Sequence, residues 1–469
     1  MSEPDAVVVG AGPNGLAAAV TLAQAGLAVT VLEAAERIGG GARSGELILP
    51  GVVHDVCSAV HPFGVSSPFF DSLDLARHGL TWRWADVDLA HPLDGGRAGA
   101  MLRSIDATAR GLGADGRAWR RLFGPITDTF ENVAQEVLEP LLHLPRHPLE
   151  LARFGLWASL PATVTARRWR TEEARALFAG TAAHLFQPLD RPLSSAVGVI
   201  MVAAGHHRGW PVAEGGSQAI TRALASMLGE LGGTIETGVR VTSLPSSPLV
   251  LLDVAPAAAA DIIGERLPDR VRRAYRAWRH GPAAFKVDLV VDGGVPWDNE
   301  ACRRAGTVHC GGTLEEIALA ERDVWEGRMP ARPFVLVAQQ YLADPGRSKG
   351  DLHPVWAYAH VPHAYNGDAT EAVVSQIERF APGFRDRIVG TAVRRPADIE
   401  RENPNFVGGD ISTGSNNPLQ VAFRPLVTRH PYATGVPGVF LCSAATPPGA
   451  GVHGMCGYGA ARAALRTVS

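Results

Sequence analysis

The chain opens on an uninterrupted apolar run, Ala6-Val7-Val8-Val9, and then changes its period at once. A run with no polar alternation reads as a strand covered on both faces, predicted here over 5–9. Six residues rich in glycine follow, Gly10-Ala11-Gly12-Pro13-Asn14-Gly15. An Ala- and Leu-rich stretch over 16–24 then predicts a helix stopped by Gly26. A second strand is predicted over 28–32, and it ends in Glu33. Residues 45–75 are rich in loop formers, whereas 105–205 carry Leu, Phe and Trp at helical spacing, interrupted by prolines. The α/β pattern returns near 210, with a helix over 219–231, a strand over 234–241 and a buried strand over 248–254. Residues 256–280 read as helical. Strand-like runs fill 283–365, notably 285–289, 333–339 and 355–360, and a helix is predicted over 369–380. A strand over 438–442 and a helix starting between 452 and 455 close the chain.

The first forty residues carry the clearest chemistry. Strand, G-x-G-x-x-G turn, helix, strand and a terminal acid form the dinucleotide-binding pattern. Gly10 permits the tight turn, Gly12 lets backbone approach a pyrophosphate, and Gly15 lets helix and strand pack closely. The N–H groups opening the helix are the natural partners of the phosphates. Glu33 is placed to accept ribose hydroxyls and disfavours a ribose 2′-phosphate. No second G-x-G-x-x-G follows a strand, so a built-in domain for a second dinucleotide is not expected.

Composition narrows the class. Two or three domain-sized units fit in 469 residues, and a net charge of −3 supplies no basic field for nucleic acid. Five cysteines without a C-x-x-C pair argue for reduced thiols and against a disulfide framework or dithiol redox centre. No secretory leader or run of membrane-spanning length is read, so a cytoplasmic protein is expected, at most peripheral to a membrane. The apolar, Arg-rich segment 141–170, from Leu141-Leu142-His143 to Arg170, is the candidate for that contact or for a lid, and reads best as a plain solvated helix. Among 44 Lys and Arg residues only Lys286 and Lys349 are lysine.

Three strings resemble the FAD-binding phytoene dehydrogenase and flavin amine oxidase families. Glu33-Ala34-Ala35-Glu36-Arg37-Ile38-Gly39-Gly40-Gly41-Ala42-Arg43-Ser44 is similar to the extension that follows the first acid in those families. The resemblance implies that the glycines lie against the flavin and its diphosphate and that Arg43 contacts phosphate. Residues 210–241 resemble the second FAD segment, which implies that Val241, or Val239 one step off, holds the adenine. Ser443-Ala444-Ala445-Thr446-Pro447-Pro448-Gly449-Ala450-Gly451-Val452-His453-Gly454 is similar to the closing FAD motif, with Ser443 for its first glycine and Ala444 where many FAD enzymes keep a ribityl-binding Asp. The likeness spans nearly the full chain, and the phytoene dehydrogenase-related group that includes pyridine nucleotide-disulfide oxidoreductase domain-containing proteins is the nearest match. It implies an α/β fold: a FAD-binding Rossmann-like domain of the glutathione-reductase and amine-oxidase type with an α+β substrate domain. The FAD domain is expected to be discontinuous (1–75, 206–255 and 400–469), the substrate domain to comprise 76–205 and 256–399.

Candidate chemistry follows from position. Lys286 stands in an apolar strand and resembles the amine-oxidase lysine that holds a water at flavin N5; burial lowers a lysine's pKa and suits it to proton transfer. Pairing with Asp288 or Asp292 is the structural alternative. His453, inside the flavin-edge motif, is a candidate contact for flavin or substrate, or else a helix-start residue. His61 is a weaker candidate, and Trp356, Tyr358 and His360 share a strand face that could line a cavity. No metal-ligand spacing is present around His206, His207 or His309. The expected activity is hydride transfer between an apolar, desaturable or polyene-like substrate and N5 of a non-covalent FAD, with dioxygen, a quinone or a carrier as electron acceptor. Alternatives are amine or amino-acid oxidation, flavin-dependent isomerisation, and a non-catalytic relative that binds prenylated proteins.

Overall fold

A computed structural model describes residues 4–141 and 143–468; Leu142, at the start of the 141–170 segment, lies outside them. The first sheet has five strands, all paired in parallel, in the order Val439–Leu441, Leu249–Leu252, Ala6–Val9, Val29–Leu32 and Thr234–Glu236. Ala6–Val9 is buried at every position, as its unbroken apolar run requires. The Pro13–Gln24 helix packs on this sheet, and its start is tightly constrained. A Cβ on Gly15 would fall 1.9 Å from the Gly10 carbonyl oxygen, so only glycine allows helix and strand to approach this closely. The C-terminal Met455–Leu465 helix crosses the same helix through Gly457, where a Cβ would meet the Asn14 carbonyl oxygen at 1.8 Å.

The second sheet has seven strands in the order Ile388–Arg394, Ala283–Asp292, Leu352–Val361, Val335–Ala338, Ala305–Cys310, Val87–Leu93 and Arg97–Met101. All neighbours are antiparallel except Ala305–Cys310 with Val87–Leu93. Ala283–Asp292 is buried along nearly its whole length: Phe285, Val287 and Leu289 join an apolar cluster with Trp297 and Phe384, while Lys286 and Asp288 share the opposite face. The Glu172–Ala183 and Ser195–Arg208 helices pack beside the sheet in the main core.

Two elements differ from the sequence expectation. The predicted strand 234–241 ends at Glu236, because Gly238 takes φ 74° and turns the chain toward Glu33. The stretch 283–365 contains a helix, Leu314–Trp325, opened by a reciprocal Thr313/Glu316 capping box.

Candidate functional site

The carboxyl ends of the parallel strands open into a cavity of about 680 Å³ that continues between the two sheets. At its first end lies the glycine turn. The Pro13–Gln24 helix has no N-cap side chain and no acid of its own in the first turn; Pro13 has no N–H and the Gly15 N–H is taken by Asp253, which leaves the Asn14 N–H for an anion. Gly12 and Gly40 approach so closely that a Cβ on Gly40 would lie 3.0 Å from Gly12 Cα. Gly10, Gly12, Pro13, Asn14, Glu33, Ala34, Gly40, Gly41 and Arg43 all border the cavity. Glu33 is fixed at the strand end by the Ala11 and Ala35 N–H groups, at 2.6 and 2.8 Å. Arg43 donates to the carbonyls of Gly40 and Glu402, at 2.9 and 3.1 Å. Gly15, Gly39 and Ala42 stand behind the wall: the Gly39 N–H bonds Ala11 O, and the Ala42 N–H bonds Gly39 O.

Val239 and Val241 both line the cavity. The Val239 N–H is committed to Glu33 O at 2.8 Å, whereas no such bond ties Val241. Ser443, Ala444, Gly451 and Val452 border the cavity on the other side. The residues fit a large polar ligand, because Asn14 Oδ1 and Ser443 Oγ are buried on the wall without a protein partner.

The deeper half is apolar and aromatic. Phe63, Phe186, Trp210, Leu336, Trp356 and Tyr358 line it. Phe186 has φ 56°, a conformation bulky residues rarely adopt, and its ring stacks on His360 at 3.8 Å. His360 itself does not border the cavity; its Nδ1–H donates to Glu321 Oε1 at 2.7 Å. His61 does border the cavity; its ring meets Ser217 Oγ at 2.8 Å, and burial pushes its pKa down to about 4. Its neutral form therefore prevails at pH 7.

Two candidates stand outside the large cavity. Lys286, 3% exposed, forms an ion pair with Asp288, which also binds Arg394 at 2.9 Å; Arg394 in turn meets Glu402 at 3.0 Å. Lys286 borders a smaller adjoining pocket together with Gly40, Arg43, Trp356 and Tyr358, residues that also face the main cavity. His453 is buried at the start of the C-terminal helix: its Nδ1 accepts the Met455 N–H at 3.1 Å, and its carbonyl accepts from Ser67 Oγ at 2.6 Å. Among the described residues no cluster of His, Cys, Asp or Glu could hold a metal, and all five cysteines are free.

Three cavity residues had no motif to announce them. Asp253, at the end of Leu249–Leu252, accepts the Gly15 N–H at 2.9 Å. His184 meets His309, ring nitrogen to ring nitrogen, at 3.0 Å. Arg424 is buried on the wall beside the Gly449–Gly451 segment. The acid closing a buried strand and the Phe423-Arg424-Pro425 string are the only sequence signals for the first and last.

This arrangement is that of a Rossmann-like dinucleotide-binding fold with a second sheet over its cavity. Residues 8–74 match the family model described as an NAD(P)-binding Rossmann-like domain. The chain is 25% identical to the mouse "Pyridine nucleotide-disulfide oxidoreductase domain-containing protein 2", covering 99% of this chain and 94% of that one. It is 26% identical to the hydroxyneurosporene desaturase of Cereibacter sphaeroides, covering 96% and 94%. In fold it is similar to cyclohexylamine oxidase from Brevibacterium oxydans, with a TM-score of 0.62, 17% identity and full coverage of both chains.

Proposed function

We propose that this chain binds FAD non-covalently and oxidises or reduces an apolar, desaturable or polyene-like small molecule. The observation that carries this function is the single cavity joining the glycine turn of the parallel sheet to an aromatic chamber under the second sheet. The helix N-terminus at Pro13–Asn14 would hold the diphosphate, with Gly10, Gly12, Gly40 and Gly41 allowing close approach and Arg43 near phosphate. Glu33 would take the ribose, and Val241 the adenine, since Val239 is already engaged. Ser443, Ala444, Gly451 and Val452 would border the flavin, with the start of the Met455–Leu465 helix favouring negative charge there. When bound, FAD supplies hydride exchange at its N5 atom.

The rest falls to the protein. Phe186, Leu336 and Trp356 exclude water from the reacting C–H bond. His453 positions the helix start, and Lys286 is the candidate proton-handling group, beside Tyr358 on the adjacent strand and 5.5 Å from the Trp356 ring. That placement also favours a second possibility, amine oxidation. Dioxygen, a quinone or a protein carrier would complete the electron balance. Peripheral membrane contact through 141–170 suits an apolar substrate; among the described residues no helix is long and apolar enough to cross a membrane.

The decisive experiment purifies the protein, quantifies released FAD, and follows the visible flavin band anaerobically with polyenes and with amines. Bleaching by a polyene supports dehydrogenation, and bleaching by an amine supports the second possibility. A protein that neither retains nor takes up FAD rejects both.

A further inference from the structure

The two other buried basic side chains have carboxylate partners: Arg347 has Asp55 and Asp344, and Lys286 has Asp288. Arg424 has none. Its side chain lies in a residue 4% exposed, yet among the described residues no carboxylate lies within 4.0 Å of its guanidinium. Among the described residues Nε and Nη2 are buried without a hydrogen-bond partner, and the guanidinium carbon stands 5.6 Å from the centre of the Trp278 ring. Asp410, the acid whose field reaches it, is engaged by the N–H groups of Gly281 and Ser412, each at 2.9 Å.

A cation removed from water without an anion is unfavourable, and its surroundings here are built to keep it. Gly449, at φ 114°, leaves the space: a Cβ there would fall 2.0 Å from Arg424 Nη1. Arg424 also borders the large cavity, as does Thr413, which holds an unusual φ of 56°. A planar guanidinium with unpartnered nitrogens, in a residue that borders a cavity, is matched in shape and charge by a carboxylate.

We propose that Arg424 anchors a carboxylate carried by the otherwise apolar substrate. The cavity then takes an amphipathic acid, its hydrocarbon body against Phe186, Leu336 and Trp356 and its anionic end on Arg424. This assignment rests on the proposed function, in that the deeper half of the cavity is where the substrate binds.

The test uses the holoprotein with decanoate, methyl decanoate and 1-decanol as probes, read by quenching of the cavity tryptophans Trp210 and Trp356. Decanoate is expected to bind at least tenfold tighter than the ester or the alcohol at pH 8. Arg424→Met should abolish that preference while leaving ester affinity unchanged, and Arg424→Lys should retain part of it. Equal affinity for acid and ester in the wild type overturns the proposal, and this comparison stands even where Arg424→Met fails to fold. An unchanged preference in Arg424→Met also overturns it. No acid preference, together with loss of FAD affinity in Arg424→Met, assigns the guanidinium to the dinucleotide instead. Should the protein hold no FAD, the proposed function fails, but the acid–ester comparison still decides the role of Arg424.

Discussion

The Gly15 N–H donates to Asp253 Oδ2 at 2.9 Å, so a carboxyl group from the neighbouring strand sits at the anion-binding start of the Pro13–Gln24 helix. Burial raises the Asp253 pKa to about 7; the Gly15 N–H opposes the rise and the charge of Glu33 adds to it. The folded protein therefore holds a proton that the unfolded chain has already lost across roughly pH 4–7. Stability contributed by this group falls as pH rises through that window, and the full penalty applies above pH 7. Asp253→Asn should flatten the slope, leaving the variant more stable than wild type at pH 8 by on the order of a few kcal/mol and closer to it at pH 5. FAD affinity should fall between pH 6 and pH 8 in the wild type, because an ionised Asp253 repels the diphosphate, and stay level in the variant. Urea denaturation and calorimetric titration at both pH values check the two halves separately.

Lys286 and Arg394 hold the same carboxyl group, Asp288, from two different strands. Lys286→Arg preserves the charge and should fold and bind FAD as the wild type does. If Lys286 handles a proton, anaerobic flavin reduction by a bleaching substrate should slow at least about tenfold. Unchanged reduction would limit Lys286 to anchoring Asp288. Lys286→Met removes one of two cations from a buried acid and should lower the melting temperature whichever role holds.

How far this site was legible depended on sequence distance. The glycine turn, Glu33, the Gly39–Arg43 extension and the Ser443–Val452 wall are each contiguous strings, because strand–turn–helix chemistry is local. Asp253 reaches Gly15 across 238 residues, and Arg394 reaches Asp288 through strand register, which no local string encodes, whereas the Lys286–Asp288 pair lies two residues apart on one strand and is legible in the sequence. The Leu314–Trp325 helix is a different kind of miss. Its Thr313-x-x-Glu316 signal was present, but the surrounding strand-like runs outweighed it. Val239 and Val241 fit a strand by pattern, which extends the expected strand to 241, while Gly238 decides the bend after Glu236.

Arg347 ties three loops together at a fully buried point. Its guanidinium donates to Asp55 at 2.5 Å, to Asp344 at 3.0 Å and to the Ala213 carbonyl at 2.5 Å. Asp55 also accepts from Ser44 Oγ and the Ser217 N–H, each at 2.7 Å, so the hub sets the loop that carries His61 against the second sheet. Arg347→Met leaves two buried carboxylates without a cation and should cost about 3–5 kcal/mol. Asp55→Asn in the same background should recover part of the loss, as read by denaturant titration of single and double variants.

The Pro148–Ala158 helix presents Leu149 and Leu156 to solvent at 77% and 62% exposure, seven residues apart and so on one face, with Leu144 just ahead of it at 92%. Arg153 is exposed between them, and Arg167, Arg168 and Arg170 follow nearby in sequence, also exposed. Leucines left in water beside arginines match the apolar interior and anionic surface of a lipid leaflet, each buried leucine contributing roughly 1.5–3 kcal/mol. The holoprotein should therefore co-sediment with phosphatidylglycerol vesicles at low ionic strength and less so at 0.5 M salt, where screening shortens the reach of the arginines. Leu149→Asp with Leu156→Asp should release it from vesicles without altering FAD content, since neither residue borders the cavity. Wild-type protein that stays in the supernatant under all conditions would reduce these leucines to ordinary exposed surface and require the apolar substrate to arrive by a carrier.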